Sequence, residues 1–293
     1  MGFLVEAIEA NQHRKSGKLK AIIKYLFRSI IYRNDFQIMR CHFDTDERKL
    51  LLVKQPNFIT KPLTPYISIN YSRQDIEKKL INHYEWFESN FNVDARKKIY
   101  TDKLVLSELI INDKKCYVTL SFERNSRKEG ELTLSLTDDK FNHYYLIAFT
   151  VDHNDIYVGC MQGSANDDGF SRSFTKEQFG LRPKSFMVDI LRIFADKFNI
   201  KNIYAVRNSA HIYNAKRYGK KSSKINLNYD QLWQEHNGEE HDESFYSLPL
   251  HTERRAMEDI KRPKRKMYRE RYAWLDEYDQ ALKEKLDAVS VIH

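Results

Sequence analysis

Leu19, Ile22, Ile23, Leu26, Phe27, Ile30 and Ile31 recur at the i, i+3, i+4, i+7 spacing of one helix face, while Lys18, Lys20, Lys24 and Arg28 take the other faces. This stripe predicts an amphipathic helix. The ordinary use of such a face is packing on a domain core, and the first expectation is that it does so here. A basic helix of this kind can also lie in a membrane interface with its apolar side down. Pro56, Pro62 and Pro65 then break the pattern, because each removes a backbone donor and restricts the residue before it. Ile76, Leu80, His83, Tyr84 and Phe87 resume it between Ser72 and Phe91, with Ser72 as the N-cap. Residues 1–100 are therefore expected to form a helical N-terminal region.

From Lys103 the period becomes two. Leu104/Leu106, Tyr117/Thr119, Leu132/Leu134/Leu136, Tyr145/Ile147/Phe149 and Ile156/Val158/Cys160 alternate in successive short runs separated by turn-forming clusters. Short loops between consecutive strands predict an antiparallel meander. Gly163–Gly169 reads as a loop, and Thr175–Gln178 as a capping box opening a short helical turn. Pro183 suits the first position of a helix running through Phe186, Ile190, Ile193, Phe194 and Phe198, and Asn202–Val206 reads as a strand. Ala210–Lys216 and Tyr229–His236 read as short helices and Phe245–Leu248 as a last strand. A long charged helix closes the chain from Pro263 to Ala288, with Tyr268, Tyr272, Leu275, Tyr278 and Leu282 along one seam that favours docking on the domain. The expected fold is α+β: the helical region 1–100, then a core over 101–293 in which a meander continues into a strand–helix–strand crossover. That order of elements resembles the GCN5-related N-acyltransferase fold.

The chain has 293 residues, of which 41% are hydrophobic and 13% aromatic, enough to bury a core. Around Ala21–Ile31 the longest apolar run is broken by Lys24 and Arg28, too short to span a bilayer. Met1–Ala10 lacks the basic-then-apolar order of a secretory signal, so the expected location is cytoplasmic, with a peripheral place at the inner membrane as the variant. Cys41, Cys116 and Cys160 are few, odd in number and far apart, which predicts buried thiols and no disulfide framework. The net charge of +8 is concentrated at the two ends. His13–Arg40 holds eight Lys/Arg and one acid, and Glu253–Tyr272 nine and four. Two basic ends around a mildly acidic middle point to anionic surfaces as partners. Nucleic-acid binding ranks last, because no recognition motif accompanies the charge.

No strong catalytic signature is present: there is no Walker loop, G-x-S-x-G, H-E-x-x-H or C-x-x-C. His236, His241 and His251 have no standard zinc spacing, so no metal is expected. Arg182 and Lys184 flank Pro183 at an expected helix N-terminus, where free amides and the helix dipole favour an anion such as a coenzyme A or lipid phosphate. The alternative is that Arg182 bonds loop carbonyls and Lys184 is solvated. Asn208–Tyr213 follows the crossover strand at its C-terminal edge, where His211 is a candidate general base and Tyr213 a candidate proton donor. Gln162 and Gly163 end the strand before the crossover, where a glycine permits close approach of a ligand. Glu131 opens a strand and is a candidate base if it points inward.

The ordered set EGELTLSL (129–136), MQG (161–163), FGLRPKSF (179–186), NSAHIY (208–213), YDQLWQEHNG (229–238), FYSLPL (245–250) and KRKMYRERYAWLD (264–276) resembles the VirK/YbjX family of Gram-negative bacterial proteins. PLTPYISINYS and LINHYEWF extend the likeness into the N-terminal half. The resemblance implies a link to cell-envelope integrity, virulence and survival of cationic antimicrobial peptides, and in some members association with membranes. It carries over no established catalytic residue. The residues singled out, with Tyr268 added, are those the spacing itself suggests. The phosphate-loop pattern of GCN5-related enzymes, Q/R-x-x-G-x-G/A, does not occur between Cys160 and Lys184.

Two functions from different classes follow as expectations. One is an acyl- or aminoacyl-transfer enzyme taking acyl-CoA or another such donor, with phosphates at Arg182 and Lys184, the strand end Gln162, Gly163 and Asn208 near the donor, and Glu131 or His211 activating a small-molecule, peptide or lipid acceptor. That reading expects a splayed strand pair and an open cleft leading to Gly180. The other is a non-enzymatic peripheral factor that binds anionic envelope components through its basic ends.

Overall fold

The computed structural model describes residues 3–12, 15–219 and 227–291; the start of the first basic window, His13 and Arg14, lies outside them. Its centre is an eight-stranded sheet. The strands β1 (Lys103–Ile111), β2 (Lys114–Ser121), β3 (Leu132–Asp138), β4 (His143–Asp152) and β5 (Asp155–Gly163) form the expected antiparallel meander. The β1–β2 turn places Asn112 and Asp113 at φ 51° and 59°, the left-handed pair that a two-residue hairpin of matching twist requires. β6 (Asn202–Val206) adds in parallel to β5, β8 (Phe245–Leu248) pairs antiparallel to β6, and the two-residue β7 (Glu239–Glu240) completes the edge.

The helices α1 (Phe3–Glu9), α2 (Lys18–Ile31), α3 (Arg33–Phe43), α4 (Asp46–Lys54), α5 (Arg73–Asn90) and α6 (Val93–Thr101) precede the sheet. α5 starts at Ser72 as expected: its hydroxyl accepts from the Asp75 amide, and the Asp75 carboxylate accepts from the Ser72 amide. The helix lies on β4, so the N-terminal region and the sheet share one core. α8 (Pro183–Lys197) covers the sheet near β3 and β4, with Pro183 as its first residue. α10 (Arg265–Val289) docks on α8 and β1. Tyr278 hydrogen-bonds Ser107 at 2.7 Å, and Trp274 and Tyr278 pack on Phe186. The seam of that helix is therefore a docking face, as its spacing suggested.

Four expectations need correction. The α2 stripe is core only in part: Ile22 and Leu26 pack against the core, but Leu19, Phe27 and Ile30 are 72%, 63% and 75% exposed, and Ile23 and Ile31 are exposed beside them. The helix instead turns Tyr25 and Ser29 inward, with Tyr25 edge-on to Phe36 at 5.2 Å. The helix before Gly180 is α7 (Phe170–Glu177), with Thr175 inside it. It begins at the preceding turn, where Asp167 accepts from the amides of Gly169 and Ser171. Ala210–Lys216 is not one helix but a 3-10 turn, Ile212–Asn214, followed after Ala215 by 3-10 residues from Lys216, and the His211 ring accepts from the Tyr213 amide at its start. Finally, Cys116 and Cys160 are buried but Cys41 is exposed, and none of the three is in a disulfide.

His83, on the inner face of α5, is fully buried and accepts from the Val151 amide through Nδ1 at 3.1 Å. Burial pushes its pKa from 6.5 to about 3; Lys61 and Arg48 push the same way and Asp152 opposes them. In the unfolded chain the ring takes up a proton near pH 6.5, whereas the folded chain resists until about pH 3. The native state therefore loses stability as pH falls through that window, by about 1.4 kcal/mol per pH unit from this group. Urea unfolding at successive pH values is expected to show that slope, and His83→Gln is expected to reduce it.

Candidate functional site

β5 and β6 stay paired only from Asp155–Asn202 to Val158–Ala205; beyond that the strands part. A bulge starts the separation, because Ala148 faces Cys160 while Phe149 faces Val158, leaving Gly159 without a partner on β4. Gly159 is obligatory there: a Cβ on it would stand 1.9 Å from the Glu129 carbonyl oxygen. The turn 126–131 thus lies against the parting strands, and extended residues beside it close the gap from the other side. The Ile67 amide donates to the Lys128 carbonyl and the Ile69 amide to the Ala210 carbonyl.

Three of the expected site residues meet in this gap. His211 Nε2 lies 3.1 Å from Glu129 Oε1, and Gln162 Nε2 donates to Glu129 Oε2 at 3.1 Å. Tyr213 sits beside the His211 ring, and Tyr229 of α9 (Tyr229–Glu235) stacks on it at 5.1 Å. His211 and Glu129 are each 1% exposed. Both ring nitrogens are engaged, Nε2 with the carboxylate and Nδ1 with the Tyr213 amide, so neither is left for a substrate proton. Burial and the Glu129 charge push the Tyr213 phenol up to about 12, which keeps it protonated as a donor. Burial and the same charge hold the Cys160 thiol well above its ordinary value. Asn208 spends its side chain on fixing the start of α9, accepting from the Tyr229 amide and donating to Asn228. Glu129 was not singled out from the sequence, although it lies in the EGE run two residues before Glu131.

Glu131 belongs to a different cluster. Its carboxylate is fully buried and paired with the Lys61 ammonium, and it accepts from the Tyr66 and Tyr84 hydroxyls at 2.7 and 2.6 Å. Tyr66 also bonds Thr150, whose hydroxyl accepts from the Glu131 amide. Burial holds the Lys61 pKa below its ordinary value. Both carboxylate oxygens of Glu131 are bonded from within the fold, two donors on Oε1 and one on Oε2, so it reads as a structural ion pair.

Arg182 and Lys184 line an open cleft of about 660 Å³ at the start of α8. Arg172 and Lys176 of α7 join them, with Glu235 as the one acid in the lining and His236 at its far side. No side chain caps α8, so the first-turn amides are available to an anion. Burial, aided by Arg192, pushes His236 down to about 4. Gly163 flanks the neighbouring Tyr145 ring, against which a Cβ would stand at 2.9 Å. The cleft does not open on Gly180, which Met267 and Arg271 of α10 cover. Arg271 donates twice to the Phe179 carbonyl, and Tyr268 lies against its guanidinium at 4.4 Å.

A second pocket, of about 260 Å³, lies between α2, the residues after α4 and the turn before β3. Its lining holds eight Lys/Arg and no acid. Composition alone shows the basic excess around α2, but not that Arg124, Arg127, Lys128 and Arg217 converge on the same place from distant parts of the chain. Among the described residues no group of three or more His, Cys, Asp or Glu is placed to hold a metal ion, and no helix is long and apolar enough to cross a membrane.

Residues 14–284 match the family described as "Protein of unknown function (DUF535)". The chain is 28% identical to "Uncharacterized protein YbjX" of Escherichia coli (strain K12) over 90% of its own length and 82% of that protein's. An "Uncharacterized protein" of Haemophilus influenzae is 31% identical over 55% of this chain, which covers 54% of that relative. No solved structure matches. With its family match running over nearly the whole chain, and with the relative from Escherichia coli aligned across most of both lengths, the protein belongs to the DUF535, or VirK/YbjX, family.

Proposed function

We propose that the protein acts at the surface of anionic membranes, to which it binds peripherally through α2. The observation that carries this reading is the exposed apolar face of that helix, where Leu19, Ile23, Phe27, Ile30 and Ile31 are each more than half exposed. α1, packed on α2, adds exposed Leu4, Val5 and Ile8. Soluble domains seldom leave so many large apolar side chains together in water, and a patch rimmed by polar groups marks an interaction surface. Lys20 and Lys24 stand beside the face on the same helix, and Arg28 follows one turn on. That combination suits an interface in which apolar side chains enter the acyl boundary while cations meet lipid phosphates.

Flotation tests the reading. The protein is expected to rise with vesicles of phosphatidylcholine plus phosphatidylglycerol, to rise less as salt increases, and to remain below with phosphatidylcholine alone. Binding that ignores both lipid charge and salt would contradict it.

Acyl-group transfer is the second reading, and the cleft at α8 favours it. Four cations and uncapped helix amides form an anion-attracting mouth where the β5–β6 crossover begins, and the strands themselves part as a GCN5-like fold would require. The donor's phosphates would sit at Arg182 and Lys184. Catalysis would need groups other than His211 and Glu131, whose bonding atoms are taken up within the fold. Thermal unfolding with coenzyme A, acetyl-CoA and a long-chain acyl-CoA tests it. A ligand at about a hundredfold its dissociation constant adds roughly 2.7 kcal/mol. A raised midpoint that Arg182→Ala abolishes supports this reading, and an unshifted midpoint across the panel contradicts it.

A further inference from the structure

The acid-free pocket beside α2 is a site in its own right. Lys24 and Arg28 reach it from α2, Lys54 from the end of α4, Arg124, Arg127 and Lys128 from the turn before β3, and Arg217 from the 3-10 residues that follow Ala215. Lys61 forms part of its floor, but that charge is spent on Glu131. Among the described residues, no ion pair or hydrogen bond joins Arg28, Arg124, Arg127, Lys128 or Arg217 to a carboxylate, whereas Lys54 also feels Asp102. Arg127 donates to the Arg124 carbonyl, Arg217 to the Leu63 carbonyl, and Lys128 to the Tyr218 hydroxyl. The crowding is felt by the groups themselves: burial and Arg217 lower the Arg28 pKa, and burial and Arg124 lower that of Arg127. Arginine–carboxylate salt bridges occur elsewhere in the molecule, as at Arg48–Glu88, Arg254–Asp276 and Arg207–Glu240. A concave wall that gathers four arginines from three segments, none of them paired with an acid among the described residues, is built for an anion supplied from outside.

We propose that this pocket binds a phosphate group carrying at least two negative charges, presented by the headgroup of a phosphorylated lipid whose chains lie along the exposed face of α2. Four of the eight cations are arginines, whose planar fork matches phosphate oxygens two at a time. About 260 Å³ falls below the roughly 300 Å³ at which sites for larger organic ligands begin, so the occupant is a compact headgroup. Arg28 ties the two surfaces together, since it lines the pocket, follows Phe27 directly and lies one turn along α2 from Lys24 and Ile31. The assignment of the source to lipid rests on the interfacial reading above, whereas the phosphate chemistry rests on the pocket alone.

Two probes separate those layers: inorganic pyrophosphate in solution, followed by calorimetry, and phosphatidylcholine vesicles carrying phosphatidic acid, followed by flotation. The variant is Arg28→Glu with Arg124→Glu, for neither of which a side-chain hydrogen bond is seen within the fold. Relief of like-charge crowding is expected to leave its unfolding midpoint unchanged or raised. Wild type is expected to bind both probes, and the variant to bind each at least about tenfold more weakly. Phe27→Ser with Ile30→Ser is expected to lose the vesicles and keep pyrophosphate. Pyrophosphate binding with no response to phosphatidic acid in wild type would overturn the lipid source and retain the phosphate site. No pyrophosphate binding, with flotation indifferent to the pocket variant, would overturn the site itself.

Discussion

Glu131→Leu is expected to destabilise the fold by about 3–5 kcal/mol, the usual cost of leaving one member of a buried ion pair without its partner. The carboxylate is fully enclosed and meets the Lys61 ammonium and the hydroxyls of Tyr66 and Tyr84. Its loss leaves the lysine and the Tyr84 hydroxyl without their partner, while Tyr66 keeps Thr150, and the lysine, already held below its ordinary pKa by burial, gives up its proton. Lys61→Met with Glu131→Leu is expected to recover part of the loss, because the charges go together and only the Tyr84 hydroxyl remains unpaired, Tyr66 keeping Thr150. Urea unfolding of the two single variants and the double gives the coupling directly. A Glu131→Gln variant that unfolds at the wild-type midpoint yet loses function would instead make Glu131 a site residue.

The second large effect concerns the membrane. Phe27→Ser with Ile30→Ser is expected to weaken partitioning onto anionic vesicles by about a hundredfold or more, while the unfolding midpoint stays near wild type. Each such side chain, when wholly removed from water, contributes about 1.5–3 kcal/mol, and every 1.4 kcal/mol is a factor of ten. Here the side chains are 63% and 75% exposed in the free protein, so most of that gain is available only on binding. A core role predicts the opposite pattern, with stability falling and vesicle affinity unchanged.

This contrast also shows where the amino-acid pattern misleads. The period of α2 identifies a helix and its apolar face, but period cannot say what covers the face. The answer depends on Tyr25 and Ser29, whose opposite side packs on α3 through Phe36. The meander was legible because alternation and turn residues are local, and so was the crossover, since Pro183 and NIYAV mark it over a few residues. The sites were less so. Arg182 and Lys184 were found as a sequence-local pair, and their cleft partners Arg172 and Lys176 lie only a few residues upstream. Glu129 and Glu131 look alike in the run EGE, yet tertiary partners divide them: His211 claims one and Lys61 the other. The second pocket draws on segments more than 150 residues apart, from Arg28 to Arg217, and no spacing rule reaches that far.

The interfacial claim is tested most directly by placing an environment-sensitive fluorophore on the α2 face, at Ile30→Cys in a chain whose exposed Cys41 is changed to Ser. The same label at Glu277→Cys on the exposed side of α10 serves as reference. Addition of vesicles containing phosphatidylglycerol is expected to shift the emission at position 30 to shorter wavelength and raise its intensity, with the label at 277 unchanged. A label at position 30 that stays in water while the protein is vesicle-bound would contradict the account.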